Sequence, residues 1–339
     1  PIKCQREEQM KSLTKILASA VSGIICASTA LAADFTFTYG QSQPESSSRG
    51  QSMVFFEKEV EARSNGRIDV QNFFDNTLGT EQEMYDQMAT GIIQGTRGGF
   101  FANANPQFNI FLLPFLTAGW DEMRCLVGSD FTDTVEAAAG NGVHVPATGV
   151  SQGFRMYTNN VRPINQVSDL QGLKIREPQT DFFIAVAESM GSIVTPMAFS
   201  ELYQAFKTGV IDGQHNPPSN IWNAKLYEVQ KYLSVTNHMT GPDPMLINKA
   251  WYDSLPTDLQ QIVDEVADEA LKLNDELAQA AEFKLLDELG AHMEINTLSA
   301  DGVASFQAAV APVYQAGIDA GHYSQADLDA AMAAAKSCN

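Results

Sequence analysis

Apolar and polar side chains alternate from Phe35 to Tyr39, the mark of a strand, and the polar Ser42 to Ser48 stretch with Pro44 reads as a loop. From Ser47 to Ser64 the period lengthens, with Met53, Phe56 and Val60 on one face of a helix that stops at a left-handed cap on Asn65-Gly66. A strand over Arg67 to Val70 follows. Thr80-Glu81-Gln82-Glu83 is then a capping box that opens a short helix ending at Gly91. Strand alternating with helix predicts an α/β lobe with a parallel-rich sheet.

The same alternation returns further along. Phe154 to Thr158 and Leu173 to Arg176 read as strands, Asp181 to Met190 as a helix capped by Gly191, Ile193 to Thr195 as a strand, and Ser200 to Thr208 as a helix ending at Gly209. No low-complexity tether separates the two α/β regions, so the chain is expected to pass between them by crossovers. From Thr257 to Leu289 runs an alanine-rich, acidic helical pattern, possible breaks included, whose apolar positions are Ile262, Val263, Val266, Ala270, Leu271 and Leu277.

Composition adds location and excludes partners. Lys11 and Lys15 precede an apolar Ile16 to Cys26 run, and Ala30-Leu31-Ala32 fits the small-x-small rule, so residues from Met10 read as an export signal cleaved before Ala33, with Pro1 to Gln9 upstream. An uncleaved anchor is disfavoured by the short core studded with Ser and Gly, and lipid attachment at Cys26 by the bulk of Ile25. The formal net charge is −20. Residues 1–32 hold Lys3, Arg6, Lys11 and Lys15 against Glu7 and Glu8, so the remainder is more acidic still, a field that disfavours nucleic acid and anionic membrane surfaces. Past residue 32 the only cysteines are Cys125 and Cys338, which in an oxidising compartment either pair or stay reduced and buried. No CxxC, HExxH, acidic calcium loop, Walker loop or Rossmann fingerprint is present, so no metal or cofactor is expected.

Candidate chemistry concentrates between Ser168 and Asn223. Arg176 closes the run Gly172-Leu173-Lys174-Ile175-Arg176, and Glu177-Pro178 ends the strand, which places a guanidinium where open α/β sheets bind ligands. A guanidinium can meet a carboxylate with two parallel hydrogen bonds, which a lysine cannot do. On residues alone, Arg176 could equally pair with Glu177 or Asp181, Arg155 could be a surface arginine, Asn216 could serve its own turn before Pro217, and Phe199 could pack in a core. Gly149-Val150-Ser151-Gln152-Gly153 is a literal GxSxG, but the strand-like residues after Ser151 provide no helix for a nucleophile elbow.

The blocks Gly172 to Arg176, Thr195-Pro196-Met197-Ala198-Phe199-Ser200-Glu201-Leu202-Tyr203, Val210-Ile211-Asp212-Gly213-Gln214 with Asn216-Pro217, and Lys225 to Leu233 resemble, in order, the solute-binding proteins of TRAP (tripartite ATP-independent periplasmic) transporters. The resemblance runs from about Phe35 past Pro256. It implies a two-lobed periplasmic-binding-protein-like α/β fold with a cleft between the lobes and a long bracing helix. Lobe I would comprise 33–153 and 243–281, and lobe II 154–242 and 282–339. Arg176 would clamp a substrate carboxylate, Arg155 would support the charge, Asn216 would fix orientation and Phe199 would pack on the ligand body. Glu81 and Ser42 lie on first-lobe loops of the kind that set selectivity. The resemblance implies a non-enzymatic periplasmic receptor that hands a small organic acid to small and large TRAP permease subunits. The competing readings are a serine hydrolase using Ser151 and a receptor feeding a sensor kinase. His215 departs from the family's frequent Glu, Gln94 to Phe101 (QGTRGGFF) is unusually glycine-rich, and Pro218 and Trp222 add bulk nearby, so the identity of the acid does not transfer.

Overall fold

The structure is a computed structural model that describes residues 33–338. The expected export signal lies outside the described residues. Among the described residues thirteen strands form two main sheets and a two-stranded ribbon. The first contains β1 (Phe35–Gly40), β2 (Ile68–Phe73), β3 (Gly95–Thr96), β4 (Val143–His144) and β12 (Leu246–Asn248), in the order β2-β1-β3-β12-β4. The second contains β6 (Met156–Asn159), β7 (Lys174–Glu177), β8 (Ile193–Pro196), β9 (Gly213–Asn216), β10 (Tyr232–Val235) and β13 (Glu294–Thr297), in the order β13-β10-β6-β9-β7-β8. A two-stranded ribbon pairs β5 (Thr148–Val150) with β11 (Pro242–Pro244). The chain visits the first sheet, then the second, returns at β12 and reaches the second again at β13. The result is two α/β lobes, as expected.

The local signals act as the sequence predicts in the first lobe. Ser47 caps the helix Ser48–Arg63 by accepting from Gly50 N, and Asn65 and Gly66 carry the left-handed turn after it. The Thr80–Glu83 capping box opens the helix Glu81–Thr90, which Gly91 ends. Both sheets are more mixed than expected. In the first, β1 is parallel to β2 and β3, but β12 runs antiparallel to β3 and β4. In the second, β6 is antiparallel to both β9 and β10, because it enters from the other lobe rather than through a right-handed crossover helix.

The expected long helix is unbroken from Thr257 to Gly290, about 50 Å at 1.5 Å per residue. Leu259, Val263, Val266, Ala267, Ala270 and Leu271 recur at helical spacing and join the core built on Phe37, Phe56 and Ile68. Farther along, Leu289 enters the core of the second lobe. Between these apolar ends the buried positions are Asn274, Asp275, Ala278 and Glu282, and Leu277 is only half-buried. Asp275 accepts from Val150 N at 2.9 Å, and Glu282 accepts from Phe154 N at 3.2 Å and from the Trp120 indole. The helix therefore holds the backbone of the 150–154 crossover through carboxylates, supplying acceptors to N–H groups that no ladder uses. Gly153, at φ +117, turns this crossover, and a Cβ there would sit 3.2 Å from Glu282 Oε1.

Cys125 and Cys338 form a disulfide, which resolves the alternative left open by the sequence. The bond fastens the chain's last turn to the helix Trp120–Val127. Among the described residues no helix is long and apolar enough to cross a membrane.

Candidate functional site

Strands β7 and β9 are parallel, with Arg176 opposite Gln214, and β6 runs antiparallel to β9 with Met156 opposite Asn216. The carboxyl ends of β7 and β9 and the start of β6 therefore meet at one edge, bringing Arg176, Asn216 and Arg155 together. They line a cavity of about 80 Å³ whose other wall includes Arg49, Glu81 and Gly99 from the first lobe. That is several times the roughly 10–15 Å³ that admits one water. Phe101, Leu112, Phe183 and Phe199 contribute its apolar surface.

Arg176 is buried, and its Nε donates to the Met197 carbonyl at 2.8 Å, which orients the guanidinium. It forms no ion pair with Glu177 or Asp181, and its two terminal nitrogens have no hydrogen-bond partner among the described residues. Arg155 donates from Nε to His215 Nδ1 at 2.9 Å and from one terminal nitrogen to the His215 carbonyl at 2.6 Å. Its guanidinium also sits 5.2 Å from the centre of the Phe183 ring. Burial pulls both arginines down to about 10, although Glu177 works in the opposite direction. Two buried guanidiniums with unused donors form an environment that an anion relieves.

The residues behind the arginines fix one another's protons. Arg155 can only donate, so His215 Nδ1 must accept, and His215 Nε2 therefore carries the proton and donates to Glu177 Oε2 at 2.7 Å. His238 Nε2 lies 3.1 Å from the same Nδ1, whose single lone pair faces Arg155, and His238 Nδ1 lies 2.8 Å from Thr236 Oγ1, which donates to the Arg155 carbonyl at 3.4 Å. Burial holds both histidines well below their ordinary range, with Arg155 adding to the effect. His215 is thus a neutral positioning residue for Arg155. Burial also pushes Glu177 up to about 8, against the pull of Arg155 and Arg176.

Asn216 is the last residue of β9 rather than part of a turn, because its strand is buried between β6 and β7 despite the polar sequence Gly213-Gln214-His215-Asn216. It belongs to a directed relay. Gln230 Nε2 donates to the carbonyls of Val229 and Asp212, so its Oε1 must accept, from Thr158 at 3.0 Å. Thr158 in turn accepts from Gln214 at 2.9 Å, and Gln214 Oε1 accepts from Asn216 at 2.5 Å. Asn216 Oδ1 accepts from Asn220 at 3.0 Å. Asn220, on the helix Pro218–Asn223, ends the relay at the cavity wall with its Oδ1 buried and unpartnered among the described residues. Asn220 escaped the sequence reading; the one available signal was its position four residues after Asn216, one helical turn on.

From the first lobe, Glu81 lines the cavity directly. Its Oε1 accepts from Ser42 at 2.6 Å and its Oε2 from Gly99 N at 3.2 Å. The glycine-rich segment makes this possible, since a Cβ on Gly98 would lie 3.1 Å from the Glu81 carboxyl carbon. Ser42 is buried behind Glu81 and lines the neighbouring pocket instead. Arg49 and Arg97, which the sequence did not single out, share Asp243: Arg49 bonds both carboxylate oxygens, at 3.0 and 3.2 Å, and Arg97 bonds one. Ser151 also lines the cavity, but Met156–Asn159 after it is a strand, so the GxSxG sits on no strand-to-helix elbow.

A family model described as "Bacterial extracellular solute-binding protein, family 7" matches residues 39–319. A "Solute-binding protein" of Verminephrobacter eiseniae is 34% identical over 285 residues, covering 83% of this chain and 84% of that one. The 2,3-diketo-L-gulonate-binding periplasmic protein YiaO of Escherichia coli is 31% identical over 281 residues, covering 82% and 85%. Among solved structures, a TRAP periplasmic solute-binding protein from Sulfitobacter sp. NAS-14.1 with bound β-D-galacturonate superposes with a TM-score of 0.81 at 28% identity, covering 89% of this chain and 99% of that one. With its two α/β lobes closing on an arginine-lined cavity, this chain belongs to the family 7 extracellular solute-binding proteins, the DctP family of TRAP transport systems.

Proposed function

We propose that this protein captures a small organic acid anion by closing its lobes around it and delivers the anion to the small and large subunits of a TRAP permease, with Arg176 as the carboxylate clamp. The observation that carries this reading is the Arg176 guanidinium, oriented through Nε by the Met197 carbonyl and lining the cavity with its terminal donors unused. Arg155 adds charge beside it, Asn216 anchors the amide relay and Phe199 packs against the carbon skeleton. Glu81, with Ser42 behind it, acts from the opposite wall. Ligand favours the closed state because only there do both lobes touch it.

We place the lobe limits at 33–153 with 243–281 and 154–242 with 282–339, a division supported by the way the strands fall into two main sheets. The mature chain begins at Ala33 in the periplasm. The bound acids named for relatives, a diketo sugar acid and a uronate, support the substrate class. The test is a thermal-shift screen of the protein from Ala33 on against organic acids, sulfonates, amino acids and neutral sugars. Ligand that binds only the folded state raises Tm by mass action. A shift with acids that disappears in Arg176→Ala supports the reading; a shift with neutral solutes alone overturns it.

A further inference from the structure

Behind the two arginines lies a buried carboxyl group whose geometry ties the capture of an anion to the capture of a proton. Glu177 follows Arg176 on β7 and is fully buried, yet it makes no ion pair with Arg176 or Arg155. One of its oxygens is committed. Oε2 accepts from His215 Nε2, whose proton is fixed there because Nδ1 of the same ring accepts from Arg155. The other oxygen, Oε1, is buried and has no hydrogen-bond partner among the described residues. Glu177 thus has one donor where an ionised carboxylate calls for several, and a proton on Oε1 removes the charge without disturbing the bond at Oε2.

The groups around Glu177 offer that proton no better address. His215 has both ring nitrogens in use and gains a proton only by giving up Arg155. Burial, with His215 and Arg155 adding to it, holds His238 well below its ordinary range. Tyr157 on β6 stacks on His215, and burial holds its hydroxyl well above the ordinary range, so it stays protonated. The helix Asp181–Ser189 turns Phe183 toward Arg155, while its Asp181 and Glu188 are exposed. Glu201, in the turn after β8, is bonded to Ala198 N, and Glu81 stands on the opposite cavity wall; both carboxylates act on the arginines rather than on Glu177.

An anion between the guanidiniums takes over the counter-ion role that an ionised Glu177 fills, because two carboxylates then compete for the same pair of positive charges. We infer that Glu177 is a proton-binding site coupled to the ligand site: the anion-bound protein holds a proton on Glu177 Oε1, taken from solvent, up to a higher pH than the protein without the anion. The coupling is reciprocal, so the protonated protein binds the anion more tightly. Burial pushes Glu177 up to about 8 against the pull of both arginines, and an anion that shares this pull raises it further. Below pH 8 the proton is largely in place already; above it, the proton arrives with the anion. The inference rests on the anion-receptor reading above and adds a titratable partner to it.

The test is titration calorimetry of the full protein with galacturonate, galactonate, erythronate and succinate, whose own carboxyls stay ionised throughout, followed from pH 7 to pH 9 with the tightest binder. Affinity should fall about tenfold across that range, and at pH 8 binding should take up about half a proton, read from the difference in heat between buffers of unlike ionisation enthalpy. Glu177→Gln fixes the neutral form. Its affinity should change by less than about twofold over the same range, and at pH 9 it should bind several-fold tighter than the parent. The proton count on the parent protein decides the matter even if Glu177→Gln does not fold. Flat affinity with equal heats in all buffers, proton release on binding, or a pH dependence that persists unchanged in Glu177→Gln overturns the inference while leaving the anion receptor standing. Binding by none of the acids would overturn the receptor reading, and the inference with it.

Discussion

Replacing Arg176 by methionine separates what this residue does for binding from what it does for the fold. Burial lowers the Arg176 guanidinium from its ordinary value to about 10, a penalty of about 3 kcal/mol. Against that stand one hydrogen bond to the Met197 carbonyl, about 1 kcal/mol, and the packing of the side-chain stem, which methionine largely reproduces. The ligand-free Arg176→Met protein should therefore be at least as stable as the parent, by up to about 2 kcal/mol in urea unfolding. Binding should respond in the opposite direction. Loss of two charge-assisted hydrogen bonds at roughly 1.5–3 kcal/mol each weakens affinity for a bound acid about 10²- to 10⁴-fold by titration calorimetry. Arg176→Lys, which keeps charge but not the fork, should lose most of this as well. A ligand-free Arg176→Met protein destabilised by more than about 2 kcal/mol, or an Arg176→Lys protein within about threefold of parental affinity, would refute the reasoning.

Acidification provides a second check. Burial pushes Asp275 and Glu136 up to about 7 and Glu177 to about 8, so between the ordinary carboxylate range near 4 and those values the folded state binds more protons than the unfolded one. Stability should thus fall as pH rises through this window, and urea midpoints measured from pH 5 to pH 8 should decline; a rise would show that these carboxylates are not held at the cost described. Reduction of Cys125–Cys338, or Cys338→Ser, should lower stability by about 2–5 kcal/mol, because the bond closes a loop of 213 residues in the unfolded chain. Equal urea midpoints with and without reductant would count against it.

Elements governed by local chemistry were legible in the sequence. The Thr80–Glu83 capping box, the helix from about Ser47 with its Asn65-Gly66 stop, and the long helical period from Thr257 stand as read. The residues of the arginine wall were expected too, Arg176 from its place at the end of a strand and Arg155 and Asn216 from the family resemblance, and the structure brings the three to one cavity. What stayed hidden depends on partners distant in sequence. The polar run Gly213–Asn216 is a strand only because β6 and β7 bury it, and tertiary context there overrides propensity. Arg49 and Arg97 are buried because both reach Asp243, 194 and 146 residues away. Asp275 and Glu282 fell where the helical period called for apolar side chains, and the departure marks the crossover they hold.

The relay from Gln230 to Asn220 has a consequence for how recognition can change over evolutionary time. Its members must all point the same way, so the orientation of the Asn220 amide at the cavity wall is decided at the far end, by the two peptide carbonyls that accept from Gln230. A substitution that offered Gln230 a donor in place of those carbonyls would favour reversal of the whole series and turn an oxygen into an NH₂ group at the cavity wall. The orientation of one lining residue, Asn220, is therefore set by Gln230, which lines no part of the cavity, so a change at Gln230 would alter the wall without replacing any residue in it.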